Sequence, residues 1–253
     1  MKRLFSGQIK MIRSLQNKRG RNETGLFVTE GIKAVSVLMG SGINIESVVF
    51  DRSFDPVLKE RLCDQMKTAE MYEHDIESVS SLTTSEGVMA IARIPEQKPL
   101  KKYFSTNNNM LGLFSVSDPG NLGSLIRTAK WFRLDGIILY GDCADIYSPK
   151  VIRSSMGSIF LIDTIKFLKY SDSKEYIKEY RKISTYVHKR NDYKKSEIDK
   201  KILFLGNEAR GIDIALEKEF DSNYRIEPEG SFESLNVSVA GGIIIHDIFR
   251  YGG

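Results

Sequence analysis

Three segments of the chain place glycine, asparagine, serine or a charged residue directly after an apolar run. They are Asp118–Phe132, Leu203–Ile212 and Ile226–Ala240. Such runs are typical of buried strands, and the residues that follow make the backbone accessible and leave helix N–H groups free. Ligands bind at the carboxyl ends of strands in open α/β sheets. The three segments therefore predict ligand-binding loops.

The length and composition are those of a globular protein. A chain of 253 residues with 41% hydrophobic residues fits two domains or one large one. No apolar run is long enough to span a membrane, and the basic N-terminus lacks the core of a signal peptide, so we expect a cytoplasmic protein without membrane contact. Cys63 and Cys143 lack metal-binding spacing and are expected to be free thiols. The scattered His74, His188 and His246 predict no metal site.

The charge is concentrated near the N-terminus. Residues 1–33 hold eight basic side chains against two acidic ones, whereas the whole chain has a formal net charge of +4. A basic segment on a near-neutral body indicates a surface that faces a polyanion, although a solvated basic helix without a partner explains the same pattern. The candidate RNA contacts are Arg13, Lys18, Arg19 and Arg21.

The first part of the chain alternates strand-like and helix-like patterns, which predicts a small α/β domain over residues 1–98. The expected strands are Leu26–Glu30, Val48–Phe50 and Val88–Arg93. The expected helices are Gln8–Leu15, Gly31–Met39 and Val57–Lys67, with a loop at Lys18–Asn22.

A polar stretch that includes Pro95, Pro99 and Asn107–Asn109 is predicted to be a linker, after which a second domain covers residues 106–253. Its expected strands are Met110–Val116, Gly136–Tyr140, Ser184–His188 and Lys201–Leu205. Its expected helices are Asn121–Phe132 and Leu235–Arg250. The segment Lys166–Lys201, with twelve basic and six acidic residues, favours a solvated helix and loop over an RNA contact.

The first segment joins a strand to a helix. Pro119 and Gly120 form a turn, and Asn121 is expected to cap the helix. We expect Arg127, six residues later, to lie on roughly the same side as Asn121, at the border of the buried face. A capped helix with a surface arginine would have the same sequence.

The second and third segments have comparable features. Gly206 and Gly211 permit a close backbone approach to a ligand, although strand-to-helix turns use glycines in the same way, and no Lys-Ser/Thr pair follows to make a phosphate-binding P-loop. In the third segment, Ser234 and Asn236 stand before the last helix, where they can serve as caps or as ligand contacts.

Taken in this order, the three segments resemble the three motifs of the SpoU/TrmH family of RNA ribose 2′-O-methyltransferases, which belong to the knotted SPOUT methyltransferases. The resemblance implies an α/β fold: a C-terminal SPOUT domain with a parallel sheet and a C-terminal trefoil knot, preceded by a small α/β RNA-binding domain. The sequence Phe27-Val-Thr-Glu-Gly-Ile-Lys33 resembles that preceding substrate-binding domain more loosely.

The resemblance also implies roles for individual residues. Arg127 would activate or orient the ribose 2′-hydroxyl. A guanidinium has too high a pKa to act readily as a base, but it could stabilise a developing alkoxide or hold a phosphate bidentately. A base role would need a second group, such as an RNA phosphate or a carboxylate. The implied catalytic residues are Asn121, Arg127, Glu208, Ser234 and Asn236. The implied contacts of S-adenosylmethionine are Leu205, Gly206, Asn207, Gly211, Ile226, Pro228 and Leu235. Two departures from the family pattern, Arg133 in place of glycine and Glu227 before Pro228, leave these positions intact.

Finally, the resemblance implies a homodimer that needs no metal and acts on RNA. The separate N-terminal domain favours 23S ribosomal RNA over transfer RNA. Two alternatives stay open: the same chemistry on transfer RNA, and an RNA-binding SPOUT protein without catalysis. The sequence does not indicate the target nucleotide.

Overall fold

The computed structural model describes residues 2–65, 68–80, 85–194, 200–207, 210–228 and 235–250. Within these residues the strands are β1 (Lys2–Arg3), β2 (Leu26–Glu30), β3 (Ile45–Phe50), β4 (Glu70–Glu73), β5 (Val88–Arg93), β6 (Asn109–Phe114), β7 (Gly136–Tyr140), β8 (Asp163–Phe167), β9 (Arg181–Ser184), β10 (Lys201–Leu205) and β11 (Ser222–Asn223). The helices are α1 (Ser6–Ser14), α2 (Lys18–Thr24), α3 (Ile32–Met39), α4 (Pro56–Gln65), α5 (Leu100–Thr106), α6 (Pro119–Trp131), α7 (Pro149–Ser154), α8 (Lys174–Ile177) and α9 (Val237–Phe249). Short 3-10 segments cover Ile76–Ser78, Ser158–Leu161, Tyr170–Ser173 and Ile214–Glu219.

The chain forms two compact units. The first comprises residues 1–96 and 145–161, and the second comprises residues 97–144 and 162–253. The first unit therefore takes a segment from the second half of the sequence, which the division into 1–98 and 106–253 did not anticipate.

Specific contacts explain why residues 145–161 belong to the first unit. The Arg21 guanidinium binds the Asp145 carboxylate at 2.6 Å, and the Arg21 side chain is only 3% exposed. The Phe27 ring lies 5.0 Å from Tyr147 and 5.4 Å from Phe160. Aromatic pairs and a buried ion pair are contacts between residues far apart in sequence, which periodicity alone does not reveal.

The first unit is built on a five-stranded sheet in the order β1-β4-β3-β5-β2. β5 runs antiparallel to both of its neighbours, and the other pairs are parallel. The helices α1, α3 and α4 cover the predicted helical segments closely, and β2 and β5 have the predicted bounds. Its core cluster contains Leu4, Ile12, Leu15, Val28, Val49, Tyr72, Ile76, Val79, Met89 and Ile91.

The predicted loop at Lys18–Asn22 is wrong, because these residues belong to α2. Gly20 packs so closely that an added Cβ would lie 2.2 Å from the carbonyl oxygen of Ser14. The buried Arg21 donates to the carbonyl oxygen of Leu15 at 2.7 Å, and Gly25 ends the helix with a φ of 67°. Tertiary contacts therefore stabilise a helix of weak intrinsic propensity.

The second unit is built on a six-stranded sheet in the order β11-β9-β10-β6-β7-β8, with every pair parallel. The predicted strand at Ser184–His188 is shifted, since β9 ends at Ser184. There the chain turns onto Asn223, whose side-chain oxygen accepts from the backbone N–H of Tyr186 at 2.7 Å. A cluster rich in aromatic residues forms one core of the unit: Tyr103, Phe104, Met110, Ile138, Tyr140, Ile165, Phe167, Tyr170, Ile177, Tyr180, Tyr186, Ile202, Phe204 and Ile212.

The last helix, α9, packs on α6 and β10. Gly241 makes this approach possible, because a Cβ there would lie 2.4 Å from Leu125 Cδ2 and 2.8 Å from Leu205 Cδ1. The predicted helix at Leu235–Arg250 is confirmed within a few residues at each end.

Two predicted irregular regions contain regular structure. The linker includes the helix α5, and the Lys166–Lys201 segment includes the end of β8, the helix α8 and the strand β9 instead of one solvated helix and loop. Cys63 and Cys143 are free thiols. In the described ranges, no helix has the length and apolar character that crossing a membrane requires.

Candidate active site

The loops of the candidate site leave the carboxyl edge of the second sheet. Because β6, β7, β9 and β10 are parallel, their carboxyl ends lie along one edge. Ser115, directly after β6, has a φ of +50°, an unusual conformation for a residue other than glycine. Its carbonyl oxygen accepts from Asn207 Nδ2 at 2.9 Å, which ties the loop after β6 to the loop after β10.

Asp118, and not Asn121, is the N-cap of α6, which corrects the capping role predicted for Asn121. The Asp118 carboxylate accepts from the backbone N–H of Asn121 at 2.8 Å, and Pro119 occupies the first helical position. Asn121 thus lies in the first turn of α6, where its side chain makes tertiary contacts.

Asn236 is the N-cap of α9. Its Oδ1 accepts from the backbone N–H groups of Ser238 at 2.9 Å and of Val239 at 3.4 Å. Its Nδ2 donates to Asn121 Oδ1 at 3.0 Å. The structure therefore brings two predicted catalytic residues into direct contact, and it joins the starts of two helices through one amide pair.

Ser238 is part of the same network, although the sequence did not single it out. Its hydroxyl lies 2.6 Å from Asn236 Oδ1 and 3.3 Å from Asn121 Oδ1. The available signal was its place in the first turn of the last helix, where serine commonly bonds to nearby polar groups.

Arg127 lies further along α6 and is exposed. Six residues correspond to about 120° around a helix, so Arg127 and Asn121 do not share a side, which corrects that expectation. An exposed guanidinium keeps its five donors available for an anion such as a phosphate. Glu208, which the resemblance placed beside Arg127, lies outside the described residues, as does Ser234.

The loop after β10 is held in a closed turn. Asn207 and Gly211 exchange two backbone hydrogen bonds, at 3.2 Å and 2.8 Å, and Asn207 Oδ1 accepts from the backbone N–H of Arg210. At Gly206 an added Cβ would lie 2.1 Å from the carbonyl carbon of Gly211 and 2.4 Å from the nitrogen of Ile212, so only glycine fits. Leu205, at the end of the strand, is buried.

The remaining predicted cofactor contacts differ in exposure. Ile226 is half-buried, Pro228 is exposed, and the Leu235 side chain, directly before the N-cap of α9, is 51% exposed. An exposed leucine side chain provides an apolar surface that a flat ring could cover.

Cys143, near the same edge, is not a reactive thiol. Its Sγ lies 3.5 Å from the carbonyl oxygens of Leu113 and Tyr140. Burial raises the pKa of the Cys143 thiol, which disfavours the nucleophilic thiolate.

The four predicted RNA-binding residues lie in the first unit and differ in availability. Lys18 and Arg19 are exposed, although Arg19 forms an ion pair with Glu23 at 2.7 Å. Arg13 is exposed, and its guanidinium donates to the carbonyl oxygen of Ser78 at 2.7 Å. Arg21 is buried against Asp145, so its prediction as an RNA contact is corrected: its donors already bind within the protein.

Comparison with known proteins places this site in a family. The model of the SpoU rRNA Methylase family matches residues 108–246, and that of the MRM3-like substrate binding domain matches residues 7–90. The chain belongs to the SpoU rRNA methylase family, as the sequence motifs indicated.

Individual relatives agree with this assignment. The chain is 30% identical over 248 residues to the 23S rRNA (guanosine(2553)-2′-O)-methyltransferase RlmP of Bacillus subtilis, covering 95% of each protein. It is 25% identical to the 23S rRNA (uridine(2479)-2′-O)-methyltransferase of Streptomyces viridochromogenes, covering 93% of this chain and 86% of that protein. The AdoMet-bound rRNA methyltransferase of Sinorhizobium meliloti superposes with a TM-score of 0.85 at 27% identity, over 98% of this chain and 95% of the other. The predicted α/β fold with a parallel sheet is confirmed.

Proposed function

We propose that the protein transfers a methyl group from S-adenosylmethionine to a ribose 2′-hydroxyl of 23S ribosomal RNA. One observation carries the proposal: in a SpoU-family chain, Asn121 and Asn236 of two separate motifs meet at the carboxyl edge of the parallel sheet. Relatives named as 23S rRNA 2′-O-methyltransferases support the choice of RNA.

The loop after β10 fits the cofactor. Gly206 leaves no room for a side chain, and the backbone of Asn207 pairs with that of Gly211 directly after β10. We propose that Leu205, Gly206, Asn207 and Gly211 hold the cofactor there, with Ile226, Pro228 and Leu235 providing its apolar contacts. S-adenosylmethionine supplies an activated methyl group on a sulfonium.

The protein's part in the reaction is positioning and charge stabilisation. Arg127 would hold the RNA backbone or the developing charge on the ribose oxygen, because an exposed guanidinium binds oxyanions bidentately and does not accept protons. Asn121 and Asn236 would fix the geometry at the starts of α6 and α9. Glu208 and Ser234 keep the roles expected from the family as predictions. No step requires a metal.

We propose that the enzyme is a homodimer through the exposed apolar side chains of α6 and α9. Trp131 at the end of α6 is 78% exposed, and Val239 and Ile243, four residues apart on α9, are 52% and 42% exposed. A row of this kind on adjoining helices is typical of a surface that a second copy covers. Ile243→Glu should yield a folded monomer in sedimentation experiments, whereas Leu168→Glu, at a 74% exposed site after β8, should not. A monomeric wild-type protein would contradict this part.

We also propose the trefoil knot. The family resemblance implies it, and two features agree with it: β11 lies at the edge of the sheet, whereas α9 packs on α6 and on β10 near the middle of the sheet. This placement is consistent with a threaded C-terminus, which is rare among folds.

RNA would be recruited by the first unit in the cytoplasm, where ribosomal RNA and the cofactor occur. Lys18→Gln with Arg19→Gln should weaken RNA binding and flatten its salt dependence, because fewer counterions are released. The control pair is Arg52→Gln with Arg61→Gln, exposed in the same unit. Equal salt slopes for both pairs would place the RNA surface elsewhere.

The central experiment uses labelled S-adenosylmethionine with unmodified transcripts of 23S ribosomal RNA and of transfer RNA. We expect label in the 23S transcript and in nuclease-resistant, alkali-stable dinucleotides, which marks ribose methylation. Label in transfer RNA alone would overturn the choice of substrate. RNA binding without transfer to either transcript would support the catalytically inactive alternative.

A further inference from the structure

The hydroxyl of Ser238 lies between the amide oxygens of Asn236 and Asn121, at 2.6 Å and 3.3 Å. The residue is half-buried in the first turn of α9. A hydroxyl has one proton to donate, so it satisfies one of the two oxygens at a time. The shorter distance favours Asn236 Oδ1, which also accepts from the backbone N–H of Ser238 at 2.9 Å.

These donors decide which end of the Asn236 amide faces the helix. An asparagine amide rotates readily, and its oxygen and nitrogen ends have nearly the same shape. With its oxygen held by Ser238 from both the hydroxyl and the backbone, Asn236 presents Nδ2 to Asn121 Oδ1 at 3.0 Å. The Asn121 oxygen therefore faces Asn236, and its own Nδ2 faces away from this pair.

We propose that Ser238 is a positioning residue for methyl transfer, whose hydroxyl selects the amide orientation of Asn236 and, through it, that of Asn121. This inference rests on the proposed function, because it assumes that the two asparagines serve the reaction. Ser238 need not contact either reactant to act in this way. Its effect is on the geometry of groups that do.

The kinetic test compares Ser238→Ala, Ser238→Thr and Ser124→Ala. Loss of one neutral hydrogen bond predicts a fall in kcat of about five- to tenfold for Ser238→Ala, with the KM for S-adenosylmethionine within about twofold. Ser238→Thr keeps the hydroxyl and should recover most of kcat. Ser124, half-buried in α6, makes no hydrogen bond to either asparagine among the described contacts, and its replacement should change neither constant.

A merely structural role would give a different pattern. It would lower thermal stability or raise KM, and threonine would rescue kcat no better than alanine. A kcat for Ser238→Ala within about twofold of the wild type would overturn the proposal.

A second measurement does not depend on RNA or on turnover. The side-chain amide signals of Asn121 in a ¹⁵N–¹H spectrum can be assigned by their loss in Asn121→Asp. Ser238→Ala should shift or broaden them, and Ser124→Ala should leave them in place. Unmoved signals would overturn the inference even in an active enzyme. Conversely, shifted signals in a protein without methyl transfer would defeat the proposed function while keeping the orienting role of Ser238.

Discussion

Asn236 Nδ2 donates to Asn121 Oδ1 at 3.0 Å although the two residues are 115 positions apart in the chain. Each stands at the start of a helix: Asn236 caps α9, and Asn121 lies one turn into α6 after its cap at Asp118. The pair thus fixes the two helix starts against each other at the sheet edge. Its geometry also separates two functions of Asn236, because capping uses the oxygen and the contact with Asn121 uses the nitrogen.

The first prediction is that Asn236→Asp keeps the helix cap and loses activity. Aspartate caps a helix as well as asparagine does, but it has no N–H to donate to Asn121. Its thermal midpoint should fall less than that of Asn236→Ala, while methyl transfer falls at least tenfold. Asn236→Ala should lose both, with about 1 kcal/mol less stability. Full activity in Asn236→Asp would show that the amide contact is irrelevant to the reaction.

A second prediction concerns Arg127. Its side chain is exposed on α6 and is not part of the loop after β10 that we propose binds the cofactor. Arg127→Ala should therefore leave S-adenosylmethionine affinity nearly unchanged, and it should remove most methyl transfer. Arg127→Lys should also be poor, because an ammonium cannot reproduce the planar fork of donors. Single-turnover transfer and calorimetry on the same variants provide the measurements. Near-normal turnover in Arg127→Ala would direct attention to Glu208 or Ser234 instead.

The sequence predicted the elements that periodicity and helix signals specify locally. β2, β5, β7 and β10 have their predicted bounds, because each is a short apolar run with clear ends. In contrast, α2 depends on a partner 124 residues away, since Arg21 is buried by Asp145. No local pattern contains that information.

The same limit applies to the site. Asn236 before an apolar helix was recognisable as a cap, and glycines after β10 as a turn. The contact of Asn236 with Asn121 and the contribution of Ser238 could not be predicted, because both depend on the packing of α9 on α6. That packing is possible only because residue 241 is a glycine, without a Cβ. Asp118 and Asn121 are both good caps, so composition alone could not decide between them.

The third prediction tests the buried ion pair of the first unit. Arg21→Ala leaves the Asp145 carboxylate without its partner in a largely buried position, and it should reduce the free energy of unfolding by about 3–5 kcal/mol. Arg19→Ala, two residues earlier and 88% exposed, should change it by less than about 1 kcal/mol. Urea unfolding of both variants measures the difference. A small effect of Arg21→Ala would mean that residues 145–161 are held by their aromatic contacts alone.

The fourth prediction uses two adjacent glycines of α9 as a matched pair. An added Cβ at Gly242 meets nothing within 4 Å, so Gly242→Ala should stabilise the protein by up to about 1 kcal/mol. At Gly241 the same change would place Cβ against Leu125 and Leu205, and we expect it to destabilise by about 1–3 kcal/mol. Equal thermal midpoints for the two variants would contradict the packing of α9 against α6 and β10.

The fifth prediction is unfolding at alkaline pH caused by buried tyrosines. Burial raises the pKa of Tyr147, Tyr180, Tyr186 and Tyr224 to about 12, from an ordinary value of 10.0. Between about pH 10 and pH 12 the folded protein therefore holds more protons than the unfolded chain, so its stability must fall as the pH rises through that window. Below pH 10 these phenols are protonated in both states and contribute no slope.

Urea unfolding at several pH values from 9 to 11.5 tests this, with absorbance at 295 nm reporting phenolate formation. We expect most of the absorbance to rise together with the loss of structure, not before it. Tyr147→Phe keeps the ring beside Phe27 and removes one half-buried phenol with a raised pKa, so its stability should decline less steeply above pH 10 than that of the wild type. Phenolate formation with a midpoint near pH 10 in a protein that stays folded would show that these tyrosines are accessible to solvent.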